Sequence, residues 1–172
     1  MHIAVDGYNF IKQSPSLRAL EKVDLQKARE KLIELLAEYK RFKGHAITVV
    51  FDGAQEISRG IQKERQRGVE IIFSRSGEKA DDVLKRMAAE KKKGIVIVTS
   101  DREIAHFAAK KGAASISIED FNTRIEMARI FSIKAGGEEK ESGYRPLAPQ
   151  KKGPAHRLPK RKRRAELSFK KL

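Results

Sequence analysis

Short apolar runs separated by helical patterns constrain the fold of this chain more than any other feature. Five runs rich in β-branched and apolar residues lie at 2–5, 46–51, 69–73, 95–99 and 114–118. Their apolar character is nearly continuous rather than alternating, which is typical of parallel strands covered on both faces. Strands that alternate with helices in this way predict an open α/β sheet with right-handed crossover connections.

Helical patterns fill the intervals between these runs. After the first run, apolar residues recur at three- and four-residue spacing from Leu25 to Tyr39. Asp24 is placed to cap the start of this helix and Gly44 to end it. Further helical patterns cover about 80–93, 102–111 and 121–133. We therefore predict one α/β domain over residues 1–135.

The composition changes near Gly136. Four of the five prolines follow it, and residues 142–172 hold eleven Lys and Arg against one Glu, a net charge of +10. We predict that residues 136–172 form a basic, flexible tail, which either binds an anionic partner or stays solvated. The densest basic run supplies candidate RNA-binding residues, namely Lys160, Arg161, Lys162, Arg163 and Arg164.

The charge of the whole chain also limits its partners. The 172 residues contain 38 Lys and Arg against 23 Asp and Glu, a net charge of +15. This favours nucleic acid, a ribonucleoprotein or an anionic membrane face, although a basic surface can also serve solubility alone. The absence of cysteine excludes disulfides and fits a reducing cytoplasm. No apolar run approaches the roughly 20 residues that span a bilayer, so we expect a cytoplasmic protein without a membrane partner.

Acidic residues follow three of the five predicted strands and open one helix. Because ligands of open α/β sheets sit beyond the carboxyl ends of the strands, we expect these side chains to lie at one edge. The candidates for this edge are Asp6, Asp52, Asp81, Asp82, Asp101 and Glu103.

Each acidic residue has a simpler interpretation when taken alone. Asp101 can cap the helix that follows it, and Asp52 can be a turn residue before Gly53. Asp81 and Asp82 suit the positive end of a helix dipole, with basic partners four residues later in the helix. Only the occurrence of all of them at one edge favours a functional interpretation.

A cluster of carboxylates predicts a divalent metal site. Neighbouring carboxylates raise each other's pKa, and Mg²⁺ or Mn²⁺ relieves that penalty because both ions prefer carboxylate and water oxygens. In a basic protein, one or two such ions suggest hydrolysis of phosphodiester bonds. Lys12, Lys79 and Arg102 are candidates for holding RNA phosphates, and Tyr8 is a candidate for stacking on a base.

Four motifs occur in order along the chain: "VDGYN" at 5–9, "FDG" at 51–53, "KADDVL" at 79–84 and "TSDRE" at 99–103. Together they resemble the NYN branch of PIN-like nucleases and, within it, the bacterial YacP-like family. The last two are also similar to the "EADDVL" and "TADKD" patterns of the 5′-nuclease domains of bacterial DNA polymerases. The resemblance covers about residues 1–133 and leaves the basic tail outside.

The resemblance implies roles for individual residues. It places Asp6, Asp81, Asp82 and Asp101 on metal-site carboxylates of the superfamily, and Asn9 on the asparagine of the NYN pattern. These five are the expected catalytic residues. Asp52 and Glu103 match further acidic positions of the 5′-nucleases and join the expected metal ligands. Lys79 stands where those nucleases carry a glutamate, which favours one firmly held ion over a two-metal cage.

The same resemblance implies a fold and an activity. The fold is a three-layer α/β/α sandwich with a parallel sheet ordered 3-2-1-4-5. The activity is metal-dependent endoribonuclease cleavage of mRNA in association with the ribosome. A non-catalytic RNA- or ribosome-binding module on the same fold is the alternative. Phosphatase chemistry with Asp6 as nucleophile is disfavoured, because Tyr8 stands where that chemistry usually has a second acid.

Overall fold

A computed structural model describes residues 1–53 and 62–136 of the chain. Its elements, in chain order, are β1 (His2–Asp6), α1 (Gly7–Gln13), α2 (Pro15–Glu21), α3 (Leu25–Lys43), β2 (Ala46–Phe51), β3 (Gln62–Gln66), β4 (Val69–Phe73), α4 (Ala80–Lys91), a 3₁₀ turn (Lys92–Gly94), β5 (Ile95–Val98), α5 (Arg102–Lys111), β6 (Ala114–Ile116) and α6 (Ile118–Gly136). None of the helices in this part of the chain is long and apolar enough to cross a membrane.

The strands form one six-stranded sheet in the order β3-β4-β2-β1-β5-β6. β1 lies in the middle and pairs in parallel with both β2 and β5. The five predicted strands therefore have the predicted order 3-2-1-4-5, and they are parallel. The expectation of an entirely parallel five-stranded sheet was wrong at one edge, where β3 is added antiparallel to β4. β3 has the sequence "QKERQ", which contains no apolar residue and so gives no strand signal.

The helices cover the two faces of the sheet. On one face, Ile3 and Val5 of β1 pack in a core with α3 and α6. On the other face, Ala4 packs with the apolar residues of α4 and α5. Because successive side chains of a strand point to opposite faces, a continuous apolar β1 fills both cores. The predicted three-layer α/β/α architecture is confirmed.

Several element boundaries differ from the prediction. The prediction missed α1 and α2, which have seven residues each and meet at Ser14 and Pro15. α4 ends at Lys91, before Lys92 adopts a left-handed φ of 46°, and α6 begins at Ile118 rather than 121. The predicted caps Asp24 and Gly44 bound α3 as expected. The predicted tail, including Lys160–Arg164, lies outside the described residues and stays a prediction.

Candidate active site

Asp6 ends the central strand and begins the first helix. Its Oδ1 accepts a hydrogen bond from the backbone N–H of Asn9 at 3.1 Å, and its Oδ2 accepts one from Asn9 Nδ2 at 2.9 Å. The side chain is almost fully buried, with 4% of the residue exposed. One buried carboxylate therefore caps α1 and lies at the carboxyl edge of the sheet.

The electrostatics of Asp6 and Asp81 connect four separate segments of the chain. Burial raises the pKa of Asp6, hydrogen bonds from Asn9 oppose that rise, and the charges of Asp81 and Asp52 add to it. Burial also raises the pKa of Asp81, with further contributions from Asp101 and Asp52. Charges from residues after β2, at the start of α4 and before α5 thus act on Asp6 at the end of β1 or on Asp81. We call Asp6, Asp52, Asp81 and Asp101 the acidic edge.

Asp52 joins the end of β2 to the start of α4. Its Oδ1 accepts a hydrogen bond from the backbone N–H of Ala80 at 2.7 Å. Asp82 completes a capping box at the same helix start, where its Oδ2 accepts from the backbone N–H of Lys79 at 3.3 Å. Among the described residues none donates a hydrogen bond to the half-buried Asp81, so this carboxylate is free to bind a cation.

Asp101 and Glu103 have different partners. Asp101 Oδ1 accepts from the backbone N–H groups of Glu103 at 2.6 Å and Ile104 at 3.4 Å, which confirms that it caps α5. Glu103 is exposed and forms an ion pair with Lys85. Lys85 also lies close enough to Asp81 and Asp82 for their charges to raise its pKa, after the larger effect of its hydrogen bond to Glu103. Glu103 is therefore paired with a lysine and lies outside the acidic edge.

The acidic edge has the carboxylate ligands that a hard divalent cation prefers, but its side chains are not arranged to coordinate one. Asp6 and Asp81 are partly desolvated and are repelled by neighbouring carboxylates, and Mg²⁺ and Mn²⁺ prefer carboxylate oxygen ligands. Within residues 1–53 and 62–136, however, no group of three His, Asp or Glu side chains is arranged to hold a metal ion. Three of the four carboxylates instead accept backbone hydrogen bonds at helix starts.

Gly53 and Ser74 fix the ends of β2 and β4 beside the acidic edge. The backbone N–H of Gly53 donates to Ser74 Oγ at 3.0 Å, and that hydroxyl donates to the carbonyl of Glu78 at 2.7 Å. A Cβ atom at Gly53 would overlap the carbonyl oxygen of Ser74. The glycine of "FDG" therefore has a structural reason beyond turn formation, and Ser74 is a supporting residue that the sequence analysis missed.

The candidate RNA contacts differ in their environments. Lys12, Lys79 and Arg102 are exposed. Tyr8 is half-buried, its ring meets Phe51 edge to face at 5.1 Å between centroids, and its hydroxyl accepts a hydrogen bond from Arg29. The sequence analysis missed Arg29 because an arginine within an amphipathic helix is usually a solvated charge.

Comparisons with known proteins agree with this fold. The family model described as "YacP-like NYN domain" matches residues 3–165. The chain belongs to this family. NYN domains are a branch of the PIN-like nucleases, so membership supports a ribonuclease role. The match extends past residue 133 through most of the basic segment, so the expectation that this segment lies outside the resemblance was wrong.

Individual relatives belong to the same family. The chain is 32% identical over 149 residues to "Uncharacterized protein YacP" of Bacillus subtilis (strain 168). The aligned region covers 79% of this chain and 86% of the relative. It is also similar to a crystal structure of Rae1 (YacP) from Bacillus subtilis, a tryptophan-to-leucine mutant, with a TM-score of 0.64 and 27% identity over 83% of this chain and 86% of the other. A second Rae1 (YacP) crystal structure gives a TM-score of 0.58 and 29% identity over 80% and 86%.

Proposed function

We propose that this protein is a metal-dependent endoribonuclease that hydrolyses RNA phosphodiester bonds at the acidic edge. One observation is the main support: beside burial, the charges of Asp81 and Asp52 raise the pKa of Asp6, and those of Asp101 and Asp52 raise the pKa of Asp81. Such mutual repulsion costs free energy in the folded protein, and a bound divalent cation would remove it. Membership of a nuclease family supports the same conclusion.

The residues of the acidic edge would divide the work of the proposed site. Asp6, Asp81 and Asp101 would hold Mg²⁺ or Mn²⁺, with Asp52, Asp82 and Glu103 as further acidic ligands. Asn9 fixes the orientation of Asp6 through two hydrogen bonds. A bound divalent cation supplies a lowered pKa for the attacking water and neutralises charge on the leaving oxygen.

The basic residues would bind the substrate. The exposed side chains of Lys12, Lys79 and Arg102 would contact RNA phosphates beside the acidic edge, and Tyr8 would contribute an aromatic surface. The run Lys160–Arg164 would add charge for a larger anionic partner. We propose mRNA on the ribosome as this partner, because a net charge of +15 suits a ribonucleoprotein and the motifs resemble the YacP-like family.

The test incubates the full chain with a labelled single-stranded RNA, which is either free or bound as mRNA to translating ribosomes. Each reaction is run in Mn²⁺, in Mg²⁺ and in chelator. We expect internal cleavage with metal, none in chelator, and loss of cleavage in Asp6→Asn and Asp101→Asn. Asparagine is as good a helix cap as aspartate, so both variants keep the backbone cap and lose the charge. Asp6→Asn also loses the acceptor for Asn9 Nδ2. Cleavage that occurs only on ribosomes supports the proposed partner, and equal cleavage of free RNA contradicts it.

Asp24→Asn is the matched control. Asp24 caps α3 in the same way, accepting from Gln26 N–H at 2.9 Å and Lys27 N–H at 3.2 Å, but it does not belong to the acidic edge. It should cut RNA like the parent. Cleavage in chelator, or full cleavage by both edge variants, would contradict the proposed site.

A non-catalytic RNA-binding module is the second candidate. One observation favours it: three of the four acidic-edge carboxylates already accept backbone hydrogen bonds at helix starts, and the described residues form no metal cage. This candidate predicts tight, salt-dependent RNA binding with no cleavage under any metal condition.

A further inference from the structure

Arg29 of α3 lies among three aromatic rings. Its guanidinium carbon Cζ is 5.4 Å from the ring centroid of Tyr8, 5.8 Å from that of Phe51 and 5.9 Å from that of Phe73. Phe51 and Phe73 stack on each other at 5.7 Å, and Tyr8 meets Phe51 edge to face. These rings fix the guanidinium in place, because each is close enough for a cation–π contact.

The rings place Arg29 beside the acidic edge. Tyr8 follows Asp6 by two residues, and Phe51 directly precedes Asp52. Phe73 is the last residue of β4, next to Ser74. Phe51 and Phe73 end β2 and β4, and Tyr8 lies in the first turn of α1, just after β1. All three rings are therefore near the carboxyl ends of neighbouring strands, where the proposed substrate phosphates would lie.

The guanidinium retains unused hydrogen-bonding capacity. Of its five N–H donors, one on Nη2 bonds to the Tyr8 hydroxyl and one on Nη1 bonds to Gln26 Oε1 at 3.3 Å. Nε is buried and has no hydrogen-bond partner. Within residues 1–53 and 62–136, no carboxylate forms an ion pair with Arg29. A partly buried positive charge without an anion is costly, so this position is prepared for an anionic ligand.

We propose that Arg29 binds a backbone phosphate of RNA next to the acidic edge, an inference that rests on the proposed nuclease function. A planar guanidinium matches two phosphate oxygens, which a lysine ammonium cannot do in the same geometry. The aromatic rings reduce the side-chain freedom that would otherwise be lost on binding. Arg29 is thus a substrate-positioning residue contributed by a helix that has none of the four sequence motifs.

The test measures RNA binding separately from cleavage. A fluorescent single-stranded RNA of about ten nucleotides is titrated with the full chain in chelator at several salt concentrations. We expect Arg29→Met to weaken binding about tenfold and to reduce the slope of log K against log salt by about 0.7, the value for one phosphate contact on a single strand. Arg29→Lys should keep the slope and recover only part of the affinity.

Arg41→Met is the matched control. Arg41 lies on the same helix and packs over one aromatic ring, with Cζ 5.3 Å from the centroid of Phe42. It is exposed and twelve residues further along α3, near the end that leads back to the amino edge of the sheet. Arg41→Met should therefore bind RNA with the affinity and the salt dependence of the parent.

The outcomes separate this inference from the proposed function. If Arg29→Met is folded and binds RNA with the parental slope and affinity, the rings and Arg29 have only a structural role and the inference is wrong. If Arg29→Met does not fold, Arg29→Lys decides: parental affinity contradicts the inference and reduced affinity with the parental slope supports it. If the parent never cleaves RNA but Arg29→Met binds RNA more weakly than the parent, the proposed phosphate contact is supported and the proposed nuclease activity is contradicted.

Discussion

Asn9 holds both carboxylate oxygens of Asp6, one through its backbone N–H and the other through its side-chain amide. These two hydrogen bonds favour the ionised carboxylate, whereas burial favours the protonated form. Asn9 therefore opposes the protonation of Asp6 that burial at the end of the central strand favours. In the proposed mechanism, Asp6 must be ionised to bind a cation.

We expect Asn9→Ala to shift the pH dependence of RNA cleavage. Removal of the side-chain hydrogen bond leaves burial less opposed, so the pKa of Asp6 should rise further. The acidic limb of the rate profile should move to higher pH, and activity at pH 6 should fall more than activity at pH 8. Cleavage rates from pH 5 to pH 9 give this shift directly. Asn122→Ala, a half-buried asparagine of α6, is the control, and an unmoved limb in Asn9→Ala would contradict the role of Asn9.

We expect Asp81→Asn to raise the melting temperature in chelator. The pKa of Asp81 is raised by burial and by Asp101 and Asp52, so the folded protein prefers the uncharged form. Stability is therefore lost as pH rises from the usual aspartate range through the raised pKa, and the neutral amide avoids that loss.

Two comparisons test this account of Asp81. Mn²⁺ should raise the melting temperature of the parent, since a ligand that binds only the folded state stabilises it, but not that of Asp81→Asn. The neighbouring Asp82→Asn should not be stabilised, because its carboxylate accepts the hydrogen bond from Lys79 N–H at the helix start. A stabilised Asp82→Asn with an unchanged Asp81→Asn would contradict the electrostatic account.

The acidic edge could be predicted because its residues follow recognisable strands or open a recognisable helix. Asp6 and Asp52 follow continuous apolar runs, and parallel strands with right-handed crossovers bring their ends to one edge. The pairing of Glu103 with Lys85 was not predictable from spacing, because it joins two different helices, α5 and α4. Arg29 was missed for a related reason: its three rings come from the ends of β2 and β4 and the start of α1, which are adjacent only after the sheet forms.

His2 leads to a prediction about pH and stability. Thr48 Oγ1 donates to Glu70 Oε2 at 2.6 Å, so the same oxygen accepts from His2 Nε2 at 2.7 Å. Lys91 Nζ then donates to His2 Nδ1, which requires a neutral imidazole. Burial and the charge of Lys91 accordingly lower the pKa of His2 below its usual 6.5.

We expect folding stability to fall as pH drops below about 7. In the window between the lowered pKa of folded His2 and the unfolded value near 6.5, the unfolded chain binds more protons, so stability rises with pH. Urea denaturation from pH 5 to pH 8 should show this slope in the parent and a flatter one in His2→Gln. His106→Gln, at an exposed histidine of α5, should keep the parental slope. The same slope in His2→Gln would show that another group titrates.

We expect Gly53→Ala to destabilise the protein by about 2 kcal/mol or more, since an added Cβ would overlap a backbone oxygen that cannot move aside easily. The collision would separate the ends of β2 and β4 and displace Asp52, which should also lower RNA cleavage. Gly94→Ala is the matched control, because a Cβ there meets no atom within 4 Å. Denaturation midpoints and cleavage rates of both variants test this relationship. Equal midpoints would mean that the contact between Gly53 and Ser74 does not hold the two strand ends together.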